Sequence, residues 1–387
     1  MNIRCWCDVF RKNTKIEGIH RVLSIFSQNY ESARSLLLSV AETNGSWHHE
    51  AYKHPQAGLE GNPIYTDVLR RGPKDASRIL VISSGTHGVE GFCGSAIQSQ
   101  FVKDNPVLPD DLAVVLIHAI NPFGFSHLRR VTEDNVDLNR NFVNFDSDQL
   151  ENEAYRKLDS LLNPVELPAG AIEKIVQKLL ELQNSMDFVT FFKAVSGGQY
   201  EFPRGVQFGG SKPGWSRKTV ESIWVQQLSN AETVVHIDIH TGLGSRGVGY
   251  LMMAADDDEP HHALMQQWFG DMLITPRPAS HEDTVLGGYL NAGMEETLPA
   301  TWVIPMTLEY GTESPDVVMR SLIEDNWLTH HGELDSDAGR DIKSRLLRAF
   351  YPACEDWKLA VIKRGIEVYS KALDGLGNIN QNREAKI

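Results

Sequence analysis

Apolar residues in this chain gather into short runs separated by stretches of helical spacing. The clearest runs are "RILVISSG" (78–85), "LAVVLIHAI" (112–120), "TVVHIDIHTG" (233–242), "VGYLMMA" (248–254) and "TWVIPMTLEYG" (301–311). They are rich in β-branched residues and nearly continuous, as expected of strands buried on both faces. Residues 28–44, 92–103, 216–230, 259–270 and 314–328 have helical spacing, and the first of these ends at Asn44-Gly45, a helix stop. The alternation predicts an α/β fold: a mixed, mostly parallel central sheet covered by helices on both faces.

Between 145 and 230 the alternation stops. Helical patterns at 149–162 and 170–193 precede the glycine-rich "SGGQYEFPRGVQFGGSKPG", which predicts an insertion overhanging a site. A helical region follows at 337–374. The expected organisation is an N-terminal extension at 1–26, disordered before the fold begins, one domain over 27–374, and a frayed tail at 375–387.

Composition narrows the classes. The chain has 387 residues and a net charge of -14, which disfavours nucleic acid or an anionic membrane as a partner. Four cysteines without zinc-ribbon spacing, no 18-residue apolar run and no signal-peptide centre predict a reduced, cytoplasmic protein that does not span a membrane. There is no Gly-x-Gly-x-x-Gly nucleotide signature and no Gly-x-Ser-x-Gly nucleophile elbow.

In open α/β sheets, sites form beyond the carboxyl ends of the strands. The polar residues found there are His87 and Glu90 in "SSGTHGVEGFCG", His118 and Asn121, His240, and Glu309. His236, Asp238 and His240 alternate and so share one face of their strand. His236 and His240 are then about 13 Å apart and cannot share an ion. His240, at the strand end, is the better ligand. Asp238 is a candidate partner behind it, and His236 and His118 read as core histidines. Two histidines and a carboxylate leave one position of a tetrahedral zinc open, the pattern of a catalytic site. Glu309 fits the position of a general base. The histidine pairs 48–49, 261–262 and 330–331 read as solvated positions on helices or loops, and Asp256-Asp257-Asp258 as a solvated loop. Cys93 reads as a small buried hydrophobe on the helix after the turn. The glycines of the turn read as a device to aim both side chains at one ion and leave room for a substrate.

Four motifs over residues 79–312 carry a family resemblance: His87-x-x-Glu90, "NVDLNRNF" (135–142), "DIHTG" (238–242) and "TLEYGT" (307–312). In this order they resemble the zinc carboxypeptidases of the carboxypeptidase A type and the related aspartoacylase and succinylglutamate desuccinylase deacylases. "SSGTHGVEGF", "NPFGF" and "NVDLNRNF" are similar to a bacterial branch of the former with undefined substrate. The resemblance implies one zinc ion held by His87, Glu90 and His240, with Asp137 orienting His87. It implies that Asn139 and Arg140 hold a substrate carboxylate, that Arg129 or Arg130 polarises the scissile carbonyl, with Arg130 preferred, and that Glu309 activates water. The covering tyrosine is Tyr289 or Tyr200. The implied activity is hydrolysis of an amide next to a free carboxylate, on a small peptide or, in the alternative, an acylated amino acid. A non-catalytic zinc-binding protein is the rival from another class.

Overall fold

The structure is a computed structural model that describes residues 20, 22–146, 151–253, 260–275 and 287–379. The strands are β1 (His48–Ala57), β2 (Pro63–Arg71), β3 (Arg78–Ser84), β4 (Leu112–His118), β5 (Thr233–Arg246), β6 (Gly249–Met252), β7 (Leu273–Ile274) and β8 (Trp302–Gly311). They form one sheet in the order β1-β2-β4-β3-β5-β8-β6-β7. The centre is parallel, with β3 between β4 and β5, and β5 beside β8. Antiparallel pairs join β1 to β2, β2 to β4 and β6 to β8. The expected mixed α/β sheet is present.

β1 and β2 were not visible as apolar runs. β1, "HHEAYKHPQA", is an edge strand that is mostly exposed, so its polar composition hides it. His48 and His49 therefore stand on a strand, not on a helix or loop, and His49 Nε2 lies 2.8 Å from Asp67 Oδ1.

Alternate residues of the central strands serve opposite faces, which explains their continuous apolar character. Leu80, Ile82, Leu116 and Ile237 pack with Phe92 and Phe101 of α2 (Gly91–Asp104) and with Tyr30 and Leu37 of α1 (Tyr30–Asn44). On the other face, Ile79, Val81, Val115 and Val234 pack with Val220 and Trp224 of α7 (Trp215–Leu228) and with Leu290 and Met294 of α9 (Leu290–Thr297). Each fully buried side chain of this size contributes about 1.5–3 kcal/mol. Cys93 is buried on α2, as expected. The short α3 (Pro122–Ser126) follows β4, and α8 (Pro260–Phe269) covers the β6–β7 edge.

The insertion holds α4 (Glu153–Leu162), α5 (Ala171–Ser185) and α6 (Phe188–Ser196). The expected helix over 170–193 is two helices: Met186 is extended, and Asp187 caps α6 by accepting from the Thr190 amide at 2.9 Å. Tyr155, Leu162, Ile172 and Leu179 form a separate cluster that includes Ile323 of α10 (Pro315–His331). The C-terminal region is likewise two helices, α11 (Asp337–Phe350) and α12 (Glu355–Gly377), parted around Pro352. Packing extends past the expected boundaries: Ile25 and Phe26 are buried before residue 27, and Leu376 and Ile379 after 374. Most of the expected extension, the end of the tail and Asp256-Asp257-Asp258 lie outside the described residues. Among the described residues no helix is long and apolar enough to cross a membrane.

Candidate metal centre

The sheet order places a topological switch at β3, whose parallel neighbours β4 and β5 lie on opposite sides. A crevice opens at the carboxyl end of such a strand. Gly85, at φ +68°, turns the chain there, and His87 begins a 3₁₀ turn over Gly88–Glu90 that leads into α2. The turn is tied down by hydrogen bonds from the Gly88 and Val89 amides to the carbonyls of Arg130 and Arg129, at 3.1 and 2.8 Å.

The glycines leave no room for a substrate, contrary to the expectation. A side chain at Gly88 would lie 2.0 Å from the Gly124 backbone, at Gly91 2.6 Å from the Phe125 ring, and at Gly94 2.4 Å from Ser84 Cβ. Their role is close packing of the turn and α2 against α3 and β3.

His87, Glu90 and His240 converge, all three buried. His87 Nδ1 is 2.9 Å from Glu90 Oε1, His240 Nδ1 is 3.2 Å from Glu90 Oε2, and the two Nδ1 atoms are 3.2 Å apart. Each ring nitrogen on the far side faces an aspartate: His87 Nε2 to Asp137 Oδ1 at 3.0 Å, His240 Nε2 to Asp238 Oδ2 at 2.5 Å. A carboxylate only accepts, so both Nε2 atoms donate. The two Nδ1 atoms and the Glu90 carboxylate are then left facing one point, a set that either a shared proton or a metal cation satisfies. Ligands about 2.1 Å from a tetrahedral zinc lie about 3.4 Å apart, close to the spacing seen. The donor set fits a metal ion.

Charge points the same way. Glu90, Asp137 and Glu309 all act on the guanidinium of Arg130, and Glu90 and Asp137 are both paired to it. Burial alone would raise the Glu90 carboxyl. His87, His240 and Arg130 outweigh burial and hold it well below the usual carboxylate range. Burial likewise opposes ionisation of Asp238, but His240 brings it to about 2. Burial disfavours charge on the His240 imidazole too, yet Asp238 and Glu90 hold it well above the ordinary histidine value. A proton shared by these atoms is what a divalent cation would displace on binding.

Glu309 lies directly across from His240 in the β5–β8 ladder but outside the ligand trio. The ladder shifts register between Thr241 and Arg246, so residues 242–245 bulge out. The bulge delivers the Leu243 amide to Glu309 Oε1 at 2.9 Å. Burial, with the charge of Glu90 adding to it, pushes the Glu309 carboxyl up to about 7.

The arginine pair separates. Arg130 reaches the cluster, donating from Nη1 to Glu90 Oε1 at 2.9 Å and from Nε to Asp137 Oδ2 at 3.2 Å. Arg129 points away, to Asn135 Oδ1 at 2.8 Å and toward Asp325 at 3.5 Å. Asn139 Oδ1 accepts from the Leu290 amide at 2.9 Å. Arg140 donates from Nε and Nη2 to the Ser196 carbonyl, from Nη1 to the Asn139 carbonyl, and stacks 4.7 Å from the Tyr289 ring. Tyr200 donates to the Arg140 carbonyl at 2.7 Å. The insertion therefore closes over the 137–141 segment: the Asp137 amide donates to the Phe208 carbonyl, and Asn141 Nδ2 to that of Gly209.

His118 is a core histidine against Ser95 Oγ at 3.1 Å, as read from its position. His236 is also buried, 2.7 Å from Ser83 Oγ. Ser83 and Thr86, both bonded to Asp238, were missed by motif reading. The signal available was Ser83 one strand over from Asp238, if the β3–β5 register had been known.

Fold and site together define an α/β protein with a buried His-Glu-His cluster, fit to hold a metal ion, at the switch point of its sheet. The chain belongs to the family described as "Protein of unknown function (DUF2817)", whose model matches residues 26–364. Comparison with curated proteins gives no match. Among solved structures it is similar to a carboxypeptidase A from Helicoverpa armigera, at 13% identity, TM-score 0.44, covering 84% of this chain and 74% of that one. A metallo-carboxypeptidase from Pseudomonas aeruginosa is similar at 12% identity, TM-score 0.39, covering 86% and 68%. A succinylglutamate desuccinylase from Chromobacterium violaceum is similar at 12% identity, TM-score 0.35, covering 82% and 74%.

Proposed function

We propose that the chain is a zinc-dependent hydrolase that cleaves an amide bond next to a free carboxylate. The observation that carries the reading is the convergence of two imidazole nitrogens and a carboxylate on one point, with the uncoordinated Glu309 beside them. His87, Glu90 and His240 hold the ion. Zinc there supplies a Lewis acid and lowers the pKa of a bound water to about 7.

Glu309, with Oε1 tied to the Leu243 amide, uses Oε2 to take a proton from the attacking water and pass it to the leaving nitrogen. Arg130 spends Nε and Nη1 on Asp137 and Glu90, and turns Nη2 to the scissile carbonyl oxygen as charge develops there. Asn139 Nδ2 and the remaining N–H groups of Arg140 anchor the substrate carboxylate, with Tyr289 stacked alongside.

One observation favours a second reading, a deacylase of N-acyl amino acids or related small amides. The insertion packs directly on Arg140 through Ser196 and Tyr200, which favours a short substrate over a long peptide.

The test is metal analysis joined to a panel of free peptides, C-terminally blocked peptides and N-acyl amino acids. Zinc-dependent turnover of free but not blocked substrates is expected, and preference within the panel separates the two readings. Equal turnover of blocked substrates removes the anchoring role of Arg140. Glu309→Gln is expected to keep zinc and lose turnover by roughly two to four orders of magnitude. Near-normal turnover places the base elsewhere. Zinc bound with no amide turned over returns the chain to a non-catalytic zinc protein.

A further inference from the structure

We infer that Ser83 and Thr86 are positioning residues of the metal centre: they lock the carboxylate of Asp238 and through it aim His240 Nδ1 at the ion. The inference rests on the proposed metal role of His87, Glu90 and His240.

Asp238 is buried, and hydroxyls occupy both of its oxygens. Oδ1 accepts from Ser83 Oγ at 2.6 Å and from Thr86 Oγ1 at 3.0 Å. Oδ2 accepts from Thr86 Oγ1 at 2.8 Å and faces His240 Nε2 at 2.5 Å. The single proton of Thr86 thus bridges the two oxygens and fixes the plane of the carboxylate. The single proton of Ser83 goes to Asp238, so the contact of 2.7 Å between Ser83 Oγ and His236 Nε2 is a bond donated by His236. A directed chain results: His236 donates to Ser83, Ser83 to Asp238, and His240 to Asp238 from its other side. It keeps His240 Nε2 on Asp238 and turns Nδ1 to the metal side.

The two hydroxyls come from the apolar strand and turn that bring His87. Ser83 is the register partner of Asp238 in the parallel ladder, so their side chains share a face. Thr86 follows Gly85, where the chain turns at positive φ back over the end of β5. The equivalent aspartate of the other arm is held differently. Asp137 takes the Asn139 amide at 3.0 Å and the Arg130 guanidinium at 3.2 Å, so a cation offsets its charge. Asp238 has only neutral donors besides His240. Its full negative charge acts on one imidazole, and its orientation depends on two hydroxyl groups. Residues behind a metal ligand typically change metal affinity tenfold to a hundredfold when removed.

The experiment measures the zinc dissociation constant of the full chain by competition with a chromophoric chelator. Thr86→Val, which keeps shape and removes the hydroxyl, and Ser83→Ala are expected to weaken zinc about tenfold to a hundredfold. Thr86→Ser restores the wild-type value. The same two substitutions in an Asp238→Asn background are expected to change affinity by less than about twofold, because the carboxylate they orient is gone. Equal losses in both backgrounds, or no loss in either, overturn the inference while the metal site stands. If Thr86→Val does not fold, the Ser83→Ala cycle decides by the same criterion. A wild-type chain that binds no zinc overturns the metal reading and this inference with it.

Discussion

The two histidine arms of the site present the same nitrogen to the same point and are built by different means. His240 is backed by Asp238, two residues away on one strand, so strand alternation alone puts both on one face. His87 is backed by Asp137, fifty residues away in a separate 3₁₀ segment that the insertion holds down through the Phe208 carbonyl. One arm is local and electrically bare; the other is assembled over long range and carries its own guanidinium. Two histidines that face one point through the same atom therefore have unequal dependence on the rest of the fold.

The largest break in that comparison is loss of a ligand. His87→Ala and His240→Ala are each expected to weaken zinc by roughly a thousandfold, one ligand's share of a binding free energy of order 10–16 kcal/mol. Metal content after dialysis against a graded chelator checks it. Retained zinc in either variant removes that arm from the site.

A third strand-end histidine sharpens the contrast, because no carboxylate bonds to it among the described residues. Burial pushes His118 down to about 4, below its ordinary value near 6.5. Above pH 6.5 it is neutral in both folded and unfolded chains. As pH falls from 6.5 to 4 the unfolded chain binds the proton and the folded one does not, so stability drops by up to about 3 kcal/mol. Denaturant midpoints across this window, compared with His118→Gln, check the slope; an unchanged slope in the variant places the proton elsewhere.

The finest test sets Asp137→Asn against Asp238→Asn. Both are expected to weaken zinc about tenfold to a hundredfold. Asp137→Asn falls at the larger end, because it also frees Arg130 from one of its two carboxylates. In a coupled substrate assay, Asp137→Asn lowers turnover at saturating zinc and Asp238→Asn leaves it nearer wild type. The reverse order reverses the assignment of Arg130 to the Asp137 arm.

Much of this arrangement is legible in the amino-acid sequence. His87, Glu90, His240 and Glu309 each follow an apolar run, and a run long enough to be a buried strand marks where its carboxyl end must be. Asp137 was found through its motif and not through geometry. Other features were hidden for identifiable reasons. β1 is polar because it is an edge, so it has no run to recognise. Met186 and Pro352 divide helices whose periodicity continues across the break. Arg129 and Arg130 are adjacent and chemically identical, and contacts elsewhere along the chain separate them: Arg129 goes to Asn135 and Asp325, Arg130 to Glu90 and Asp137.

Hydrophobic periodicity and residue order alone establish which strands are buried, where they end and which side chains stand at those ends, since these follow from the two-residue repeat of a strand. Register across strands, contacts between segments fifty to 150 residues apart, and the balance of buried charge depend on the packed chain. So the hydrogen bonds of Ser83 and Thr86 to Asp238, the close fit of Gly88 against Gly124, and the clasp of the insertion on Arg140 were decided by tertiary structure. Each is a contact between groups that nothing local in the chain brings together.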